Sequence, residues 1–574
     1  MSKKELKVWI LFICLNCLLF LPRYILEADI SSFIPYRGFL EGSLYQRFKY
    51  LYIRPNYDIF RLSADLLLIL VIYYFFRKKI GLKLYSRISG IYYVIILLFL
   101  IYYNSMEKIF KVKPMLYNDI HLFRLAFVNS GVAMIKGLLL AGLLIGITIG
   151  FIRIFRYLLT LIRDIQPGRY SKIALLLLGS FLLIKTLWSG VTFEPIQGIQ
   201  ETCVLMVQNL GLSLEAYNSQ RKIKVTDLVK ETNYDRYQWK EKPNLYVLFF
   251  ESYGKIVYTD PSLQGPYLKE LDHLEASLEK QGWKTASAFS ISPVSGGDSW
   301  VSYSSFMLGY NIRNEGTYLY LLKNKGLNHY DHLFRLFGKK GYTNYRLSSM
   351  EENPSLDIPW KTFSAFYDVD QWILFRDMNY QGKLYGFGPS PPDQYALFFA
   401  GNFIKQHTAG PFTFFWINQN SHNPFYCPDS LVADWKSLSD GRDISNQKSD
   451  FLKKPSRKDY SKAINYDLQV FIHFIEQEGS GHDIFLIIGD HQPPLLTHQS
   501  DSFETPVHII SRDGSFIQHF VDDGFVHGMA ANDQGMIFRH EGLYSLFMRE
   551  FLRSYGTDST DLPRFRPAGI TPSR

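Results

Sequence analysis

The stretch IFLIIGDHQPP, residues 484–494, places an acid and a histidine directly after five apolar residues and a glycine. Near-continuous apolar runs of this length are typical of strands that are buried on both faces of a parallel sheet. Aspartate is rarely buried unless another group compensates its charge. The position of Asp490 and His491 at the end of such a strand therefore indicates a bound metal ion.

Two further apolar strands end in polar residues of the same kind. NLYVLFFE, residues 244–251, ends at Glu251, and PFTFFWINQNSHNP, residues 411–424, contains Ser421 and His422 near its end. Helical apolar spacing separates the strands, at Tyr267–Lys280, Asn328–Lys340, Asp393–Gln406 and Tyr460–Glu478. This alternation predicts an α/β domain. Because ligands bind at the carboxyl ends of strands in open α/β sheets, we expect Glu251 and His422 to join Asp490 at one edge.

A candidate nucleophile lies in SPVSGGDSWVSYSSFMLGY, residues 292–310. After the glycine pair, the apolar residues follow helical spacing, which places Ser299 at or just inside a helix N-terminus. Backbone N–H groups and the helix dipole favour a phosphate there. A hydroxyl in that place is a candidate nucleophile, although Ser299 or Asp298 could instead be a plain N-cap. Ser295 and Ser302 remain alternatives for the nucleophile.

The apolar residues are concentrated at the start of the 574-residue chain, within residues 1–190. A spanning helix needs about 20 mostly apolar residues, and five runs approach that length. They are Val8–Ile25, Phe60–Phe76, Ile88–Tyr103, Ser130–Ile152 and Ile173–Trp188. We therefore predict an α-helical membrane domain with five transmembrane helices, followed by the α/β domain.

Lysines and arginines in the short loops predict the orientation of the membrane domain. They precede the first run and fill the loops between runs two and three and between runs four and five. By the positive-inside rule these three clusters are cytoplasmic, so the N-terminus is cytoplasmic and everything after Trp188 is extracytoplasmic. We attribute much of the net charge of +9 to these loop clusters, which set the orientation in the membrane and contact lipid. We therefore expect no nucleic-acid partner.

The remaining segments divide into a connector, a catalytic domain and a tail. Residues 191–242 are a connector that includes QETCVLMVQNLGLSLEAY, residues 200–217, a helix expected either at the membrane interface or packed on the soluble domain. Residues 243–554 form the predicted catalytic domain, and residues 555–574 are expected to be disordered. Four cysteines exclude a disulfide framework and leave only a Cys203–Cys427 pair open.

The ordered motifs resemble the lipoteichoic acid synthase group, phosphoglycerol transferases of the alkaline phosphatase/sulfatase superfamily. Glu251 in FFESYGK is similar to the glutamate that follows the first strand in that group, and Ser299 is similar to its Thr or Ser nucleophile. Gly489-Asp490-His491 matches the GDH motif of that group. His422 in SHNPF is similar to the histidine of the group's SHxPF-like segment. The resemblance implies five membrane spans and an extracytoplasmic sulfatase-like domain.

The resemblance also implies the roles of these residues. Glu251, Ser299, Asp490 and His491 would hold one divalent metal, with Mn²⁺ preferred and Zn²⁺ or Mg²⁺ as alternatives. Ser299 and His422 would be catalytic. Trp360 and Lys361 stand near the place of the family's phosphate-binding arginine and are the candidate substrate-binding residues, while Asp393 in PPDQYALFF receives no role.

The predicted function is transfer of a phosphoglycerol, or a similar phospho-alcohol, from a phospholipid to an envelope glycan or polymer through a phosphoserine-type intermediate. The expected donor is phosphatidylglycerol, and the expected location is the bacterial cytoplasmic membrane. Two alternative enzymes are a phosphoethanolamine transferase and a phosphodiesterase or sulfatase-like hydrolase. A non-catalytic lipid-binding pseudoenzyme is the alternative of a different class. The sulfatase CxPSR signature is absent, which argues against a formylglycine enzyme.

Overall fold

The computed structural model describes residues 3–26, 43–45, 47, 58–120, 133–165, 169–189, 198–222, 233–323, 331–350, 360–385, 390–441, 455–497, 501–533 and 537–570. The chain divides into two compact units, which we describe separately. The first contains residues 1–108 and 112–218, and the second contains residues 109–111 and 219–574. All four cysteines are unpaired.

The first unit is built from apolar helices. They are α1 Lys3–Leu26, α2 Ala64–Phe76, α3 Leu82–Phe110, α4 Ala133–Asp164, α5 Arg169–Ser189 and α6 Thr202–Arg221, with short paired strands β1 Leu62–Ser63 and β2 Ile199–Gln200. Among the described residues, three helices are long and apolar enough to cross a membrane: Lys3–Leu26, Leu82–Phe110 and Gly137–Asp164. The apolar stretches Ala64–Phe76 and Leu175–Ile184 are shorter. The structure therefore contains an apolar helical region, but it does not establish five full spans.

Helix α6 exposes apolar side chains and buries polar ones. Val207, Leu210 and Leu214 are exposed, whereas Asn209 and Ser213 are buried. The Asn209 Nδ2 donates to the Pro114 carbonyl at 2.7 Å, and Asn209 Oδ1 accepts from the Leu116 N–H at 3.1 Å. This is the reverse of a water-facing helix, so its apolar face fits either the membrane interface or another apolar surface, and both interpretations stay predictions.

The second unit is organised around a mixed sheet. Its strands are β3 Asn244–Phe250, β4 Lys284–Ile291, β5 Thr343–Ser348, β6 Gln371–Leu374, β7 Phe412–Ile417, β8 Asp483–Gly489, β9 Glu504–Ser511, β10 Val526–His527 and β11 Phe538–Arg539. Their order is β10-β4-β9-β8-β3-β7-β5-β6, with β11 beside β4. Strands β8, β3, β7, β5 and β6 are parallel, whereas β9 runs antiparallel to both of its neighbours.

Helices cover both faces of this sheet. They are α7 Ile256–Thr259, α8 Pro261–Lys280, α9 Ser299–Leu308, α10 Glu315–Lys323, α11 Leu333–Lys339, α12 Trp360–Tyr367, α13 Asp393–His407, α14 Arg457–Glu478, α15 Gly514–Asp522 and α16 His540–Tyr555, with 3₁₀ turns Phe375–Met378 and Trp435–Leu438. Successive side chains of a strand point to opposite faces. In β3, Val247 and Phe249 pack with α9, α11 and α16, while Leu248 and Phe250 pack with α8, α13 and α14. This arrangement explains the continuous apolar sequence of the central strands.

The end of the chain is ordered up to residue 570, which corrects the predicted disorder of residues 555–574. The Ile570 N–H donates to the Gly309 carbonyl at 2.8 Å, and the Ile570 carbonyl accepts from the Asn311 N–H at 2.9 Å. The Arg566 N–H donates to Ser545 Oγ at 3.0 Å. Backbone hydrogen bonds to the end of α9 therefore order a segment whose polar composition suggested disorder. Residues 571–574 lie outside the described part of the chain.

The central strand β8 is expected to contribute strongly to stability. Ile487 is fully buried within it, whereas Ile537 is 74% exposed. Ile487→Ala should lower the free energy of unfolding of the second unit by about 2–5 kcal/mol, because it leaves a cavity in a packed core. The same change at Ile537 should cost less than about 0.5 kcal/mol. Denaturant unfolding of the two full-length variants measures both values, and equal losses would contradict this view of the core.

Candidate metal centre and nucleophile

Three neighbouring strands bring the predicted site residues to one edge of the sheet. β3 lies between β7 and β8, and Phe250 at its end pairs with Gly489. The Asp490 N–H donates to the Phe250 carbonyl at 3.1 Å, so the residues that follow the two strands lie side by side. The Asn418 N–H, just after β7, donates to the Phe249 carbonyl at 3.3 Å. The carboxyl ends of the three strands therefore meet as predicted.

Glu251, Asp490 and His491 form a cluster that could hold a metal ion, with one ligand atom from each residue within 4.8 Å of the others. His491 Nε2 lies 3.5 Å from Glu251 Oε1 and 3.3 Å from Asp490 Oδ2. All three residues are buried. The Nδ1–H of His491 donates to the Gln492 carbonyl at 2.9 Å. This bond leaves the lone pair on Nε2, which is the atom that faces the carboxylates.

One oxygen of the Asp490 carboxylate accepts backbone hydrogen bonds, and the other faces Glu251 and His491. Oδ1 accepts from the Ser252 N–H at 2.7 Å and from the His491 N–H at 2.6 Å. Oδ2 is buried and has no hydrogen-bond partner among the described residues. Buried polar atoms are almost always paired. A buried, unpartnered carboxylate oxygen that points at a second carboxylate and an imidazole lone pair fits a divalent cation.

The electrostatics of the cluster are consistent with that fit. Burial, together with the charge of Glu251, holds the pKa of Asp490 well above its usual range. Burial also opposes ionisation of Glu251, but His422 and His491 outweigh it and lower the pKa of Glu251. Burial lowers the pKa of His491, which favours the neutral imidazole that a metal requires. A cation bound between the two carboxylates would relieve their mutual repulsion.

Ser299 is the first residue of α9 and contacts the cluster. Its Oγ donates to Glu251 Oε2 at 3.0 Å and lies 3.2 Å from His491 Nε2. The preceding residues Gly296, Gly297 and Asp298 all have positive φ, at 74°, 156° and 60°. Such a conformation costs energy at Asp298, and this kind of strain is common at functional sites. The tight turn is what points Ser299 back at the strand ends.

The two alternative serines take other positions. Ser302 Oγ donates to the Asp490 carbonyl at 2.8 Å, so it supports the backbone of that residue. Ser295 is buried, and its hydroxyl has no partner among the described residues. Of the three candidates, Ser299 is therefore the one whose hydroxyl contacts the ligand atoms of Glu251 and His491 in the described structure.

His422 lies in the turn that follows β7, and this turn also holds Glu251. Asn418 Oδ1 accepts from the Glu251 N–H at 2.7 Å, and Ser421 Oγ donates to the Glu251 carbonyl at 2.8 Å. His422 is partly buried, and its Nδ1–H donates to the Asn423 carbonyl at 2.7 Å. Asn418 is a residue of the site that the sequence motifs did not identify. Its position directly after an apolar strand is the signal that could have identified it.

Trp360 and Lys361 begin α12. The Trp360 ring packs edge-on against Trp372 with centroids 4.8 Å apart, and Lys361 is exposed. The contacts described for these two residues do not connect them to the metal cluster, so a substrate-binding role stays a prediction. His508 is buried, with Nδ1 2.8 Å from Ser287 Oγ and Nε2 2.9 Å from Tyr253 Oη. His498 lies outside the described residues.

No protein-family model and no curated protein matches the sequence. Among solved structures, the chain is similar to the integral membrane lipooligosaccharide phosphoethanolamine transferase A (EptA) of Neisseria meningitidis, with 11% identity, a TM-score of 0.43, and coverage of 84% of this chain and 93% of that one. It is also similar to the phosphoglycerol transferase GacH of Streptococcus pyogenes, with 13% identity, a TM-score of 0.35, and coverage of 58% and 80%.

A third structure belongs to a protein in the alkaline phosphatase superfamily from Vibrio parahaemolyticus. It shares 15% identity at a TM-score of 0.37, covering 57% of this chain and 73% of that one. The structures found thus include members of the superfamily that the motifs resemble. Because these similarities are low, the function is inferred from the geometry of the cluster.

Proposed function

We propose that this chain is a membrane-bound, metal-dependent transferase that moves a phosphoglycerol, or a similar phospho-alcohol, from a phospholipid to an envelope glycan or polymer. The observation that carries the proposal is the contact of the Ser299 hydroxyl with both Glu251 and His491, at 3.0 and 3.2 Å. A hydroxyl beside two candidate metal ligands is suited to metal-assisted covalent phosphoryl transfer.

The residues that would hold the metal are Glu251, Asp490 and His491, with Ser299 as a further oxygen donor. A set of carboxylate oxygens and one imidazole suits Mn²⁺ or Zn²⁺ better than Mg²⁺, and we propose Mn²⁺. When bound, such an ion would lower the pKa of a neighbouring hydroxyl and stabilise negative charge on phosphate oxygens.

The first half-reaction forms a bond from Ser299 Oγ to the phosphorus of the lipid head group. The bond between that phosphorus and the diacylglycerol oxygen breaks, and diacylglycerol leaves with a proton. Glu251 Oε2 accepts the hydrogen bond of the Ser299 hydroxyl, so the proton of the nucleophile is directed toward that carboxylate. The N-terminus of α9 places backbone N–H groups near the phosphate.

The second half-reaction transfers the head group from Ser299 to an acceptor. An acceptor hydroxyl attacks the phosphorus, the Ser299 Oγ–phosphorus bond breaks, and the serine hydroxyl regains a proton. A sugar or polymer hydroxyl gives transfer, while water in the same place gives hydrolysis. The apolar helical unit would keep the chain at the membrane that contains the lipid donor.

His422 is proposed to donate a hydrogen bond to the phosphate oxygens as charge develops. His422→Gln should lower kcat by about 10²-fold, because removal of one donor to a developing oxyanion costs on the order of 10²–10³-fold. His422 is not one of the three clustered ligands, so Mn²⁺ affinity should persist. His482→Gln is the matched control, because His482 is exposed just before β8. Equal kcat in the two variants, measured by diacylglycerol release, would remove His422 from the reaction.

Diacylglycerol release from defined lipids tests the proposed function. The full-length protein in vesicles of phosphatidylglycerol with Mn²⁺ should release diacylglycerol, and a chelator should stop the reaction. Release only from phosphatidylethanolamine would assign the phosphoethanolamine alternative. Release from neither lipid by protein that has bound Mn²⁺ would contradict the proposed donors, and failure to bind Mn²⁺ would favour the non-catalytic alternative.

A further inference from the structure

Two buried aspartates lie behind the turn that holds Glu251. Asp393 is the first residue of α13, and Asp467 lies in α14. Both are completely buried. A buried carboxylate is costly unless it is paired or hydrogen-bonded. Each of these two carboxyl groups therefore needs partners that compensate for its burial.

The Asp393 carboxyl group accepts hydrogen bonds from the backbone. Its Oδ2 accepts from the Asn420 N–H at 2.6 Å and the Gln419 N–H at 3.0 Å, and its Oδ1 lies 3.1 Å from the same Gln419 nitrogen. The Asp393 N–H in turn donates to Asn420 Oδ1 at 2.9 Å. Acceptance of backbone N–H groups favours the charged form of a carboxyl. Asp393 therefore ties the turn after β7 to the start of α13.

Asp467 has a different environment. Its Oδ2 accepts from Asn418 Nδ2 at 2.6 Å. Its Oδ1 is buried and receives no hydrogen bond from a described N–H or O–H donor. Asp467 contacts Asn418, and Asp393 contacts the next residue of the chain, Gln419, so the two buried carboxyl groups lie at the same turn. Two carboxyl groups can share a hydrogen bond only if one of them carries a proton.

We propose that Asp467 is a neutral carboxylic acid that donates its proton to Asp393, and that this pair positions the metal ligand Glu251 through the turn at Asn418. The proposal deepens the proposed function and rests on its metal site. Asp393 keeps the negative charge because its oxygens accept the backbone N–H groups. Asp467 keeps the proton because its Oδ1 otherwise has no described partner.

The link from the pair to Glu251 is short. Asn418 donates from Nδ2 to Asp467 and to Ser421 Oγ, at 2.6 and 2.9 Å, which orients its amide. The oriented Oδ1 then accepts from the Glu251 N–H at 2.7 Å, and Ser421 Oγ donates to the Glu251 carbonyl at 2.8 Å. Both backbone polar groups of Glu251 are thus fixed by side chains that depend on Asp467. Groups of this kind orient metal ligands and tune metal affinity.

Burial opposes ionisation of both carboxyl groups, and at Asp393 the hydrogen bonds from backbone N–H groups partly offset it. Burial raises the pKa of Asp393 to about 7. It raises the pKa of Asp467 well above its usual range, and the neighbouring charge of Asp393 adds to this effect. A pair of carboxyls that holds one proton avoids the repulsion between two adjacent charges.

Asp467→Asn and Asp467→Ala in the full-length protein test the positioning role. The asparagine can donate from its amide to Asp393 and accept from Asn418, so it reproduces a neutral acid. Asp467→Asn should therefore bind Mn²⁺ with nearly the wild-type affinity in calorimetry. Asp467→Ala releases Asn418 and should lower the affinity by about 10–100-fold, as changes behind metal ligands do. Equal losses in the two variants would overturn the positioning role.

Asp393→Asn tests which aspartate carries the charge. An asparagine at position 393 sets an amide donor against the N–H groups of Gln419 and Asn420, so this variant should lose Mn²⁺ affinity although Asp467→Asn does not. Infrared difference spectra of wild-type protein against Asp467→Asn should show loss of a protonated carboxyl band. Persistence of that band in Asp467→Asn would overturn the proton assignment. The spectrum needs neither metal nor activity, so it still reports on the pair if the proposed transferase reaction fails.

Discussion

Ser299→Ala is expected to reduce diacylglycerol release from phosphatidylglycerol by on the order of 10³-fold or more, because it removes the atom that forms the bond to phosphorus. Ser299 donates to Glu251 Oε2 but is not one of the three clustered residues, which the substitution leaves unchanged. We therefore expect Mn²⁺ binding to persist while turnover is lost. Initial rates and calorimetry on the same full-length preparations separate the two effects.

Ser304→Ala is the matched control for this loss. Ser304 is also a buried serine of α9, but its Oγ lies 3.5 Å from Tyr367 Oη and contacts no described atom of the metal cluster. Its activity should stay close to wild type. If Ser299→Ala keeps most of the activity, or if both variants lose it equally, Ser299 is not the nucleophile.

Asp490→Asn is expected to weaken Mn²⁺ binding by more than about 100-fold, beyond the effect of changes behind the ligands. The substitution removes one of two negative charges and places an amide donor in a cluster where acceptors converge. Oδ1 of Asp490 already accepts two N–H groups, so the amide nitrogen would be directed either at those donors or at the metal. The first orientation would set a donor against two donors, and the second would set it against a cation, so both are unfavourable.

The control for the metal prediction is Asp483→Asn, at the other end of the same strand. Asp483 is also buried, but its Oδ1 accepts from Asn244 Nδ2 at 2.8 Å, and it contacts none of the three clustered residues in the described structure. Calorimetry should give this variant the wild-type Mn²⁺ affinity. Retention of full affinity in Asp490→Asn would show that the cluster is not the metal site.

The parts of the site that the sequence could predict are those set by strand polarity. Parallel strands buried on both faces are apolar throughout, so β3, β7 and β8 are visible in the sequence, and the first polar residues after them must share an edge. That reasoning places Glu251 and Asp490 together, as the structure finds. The predicted helix at Asp393–Gln406 likewise corresponds to α13, because its apolar spacing is strong.

Other features depend on tertiary contacts that no local pattern reports. Asn418 and Asp467 are 49 positions apart, and their bond exists only once α14 has packed behind β7. The antiparallel direction of β9 and the ordering of Ile570 by the end of α9 are likewise set by neighbours distant in sequence. Asp393 stood out in the sequence, but its role became interpretable only when its partners were known.

The central claim is that Ser299 carries a covalent phospho-alcohol during the reaction. Intact mass spectrometry of the full-length protein, after incubation with phosphatidylglycerol and Mn²⁺ but no acceptor, tests this claim most directly. We expect a glycerophosphate adduct that maps to Ser299 and is absent from Ser299→Ala. An adduct on another residue, or rapid diacylglycerol release with no adduct on quenched protein, would contradict it.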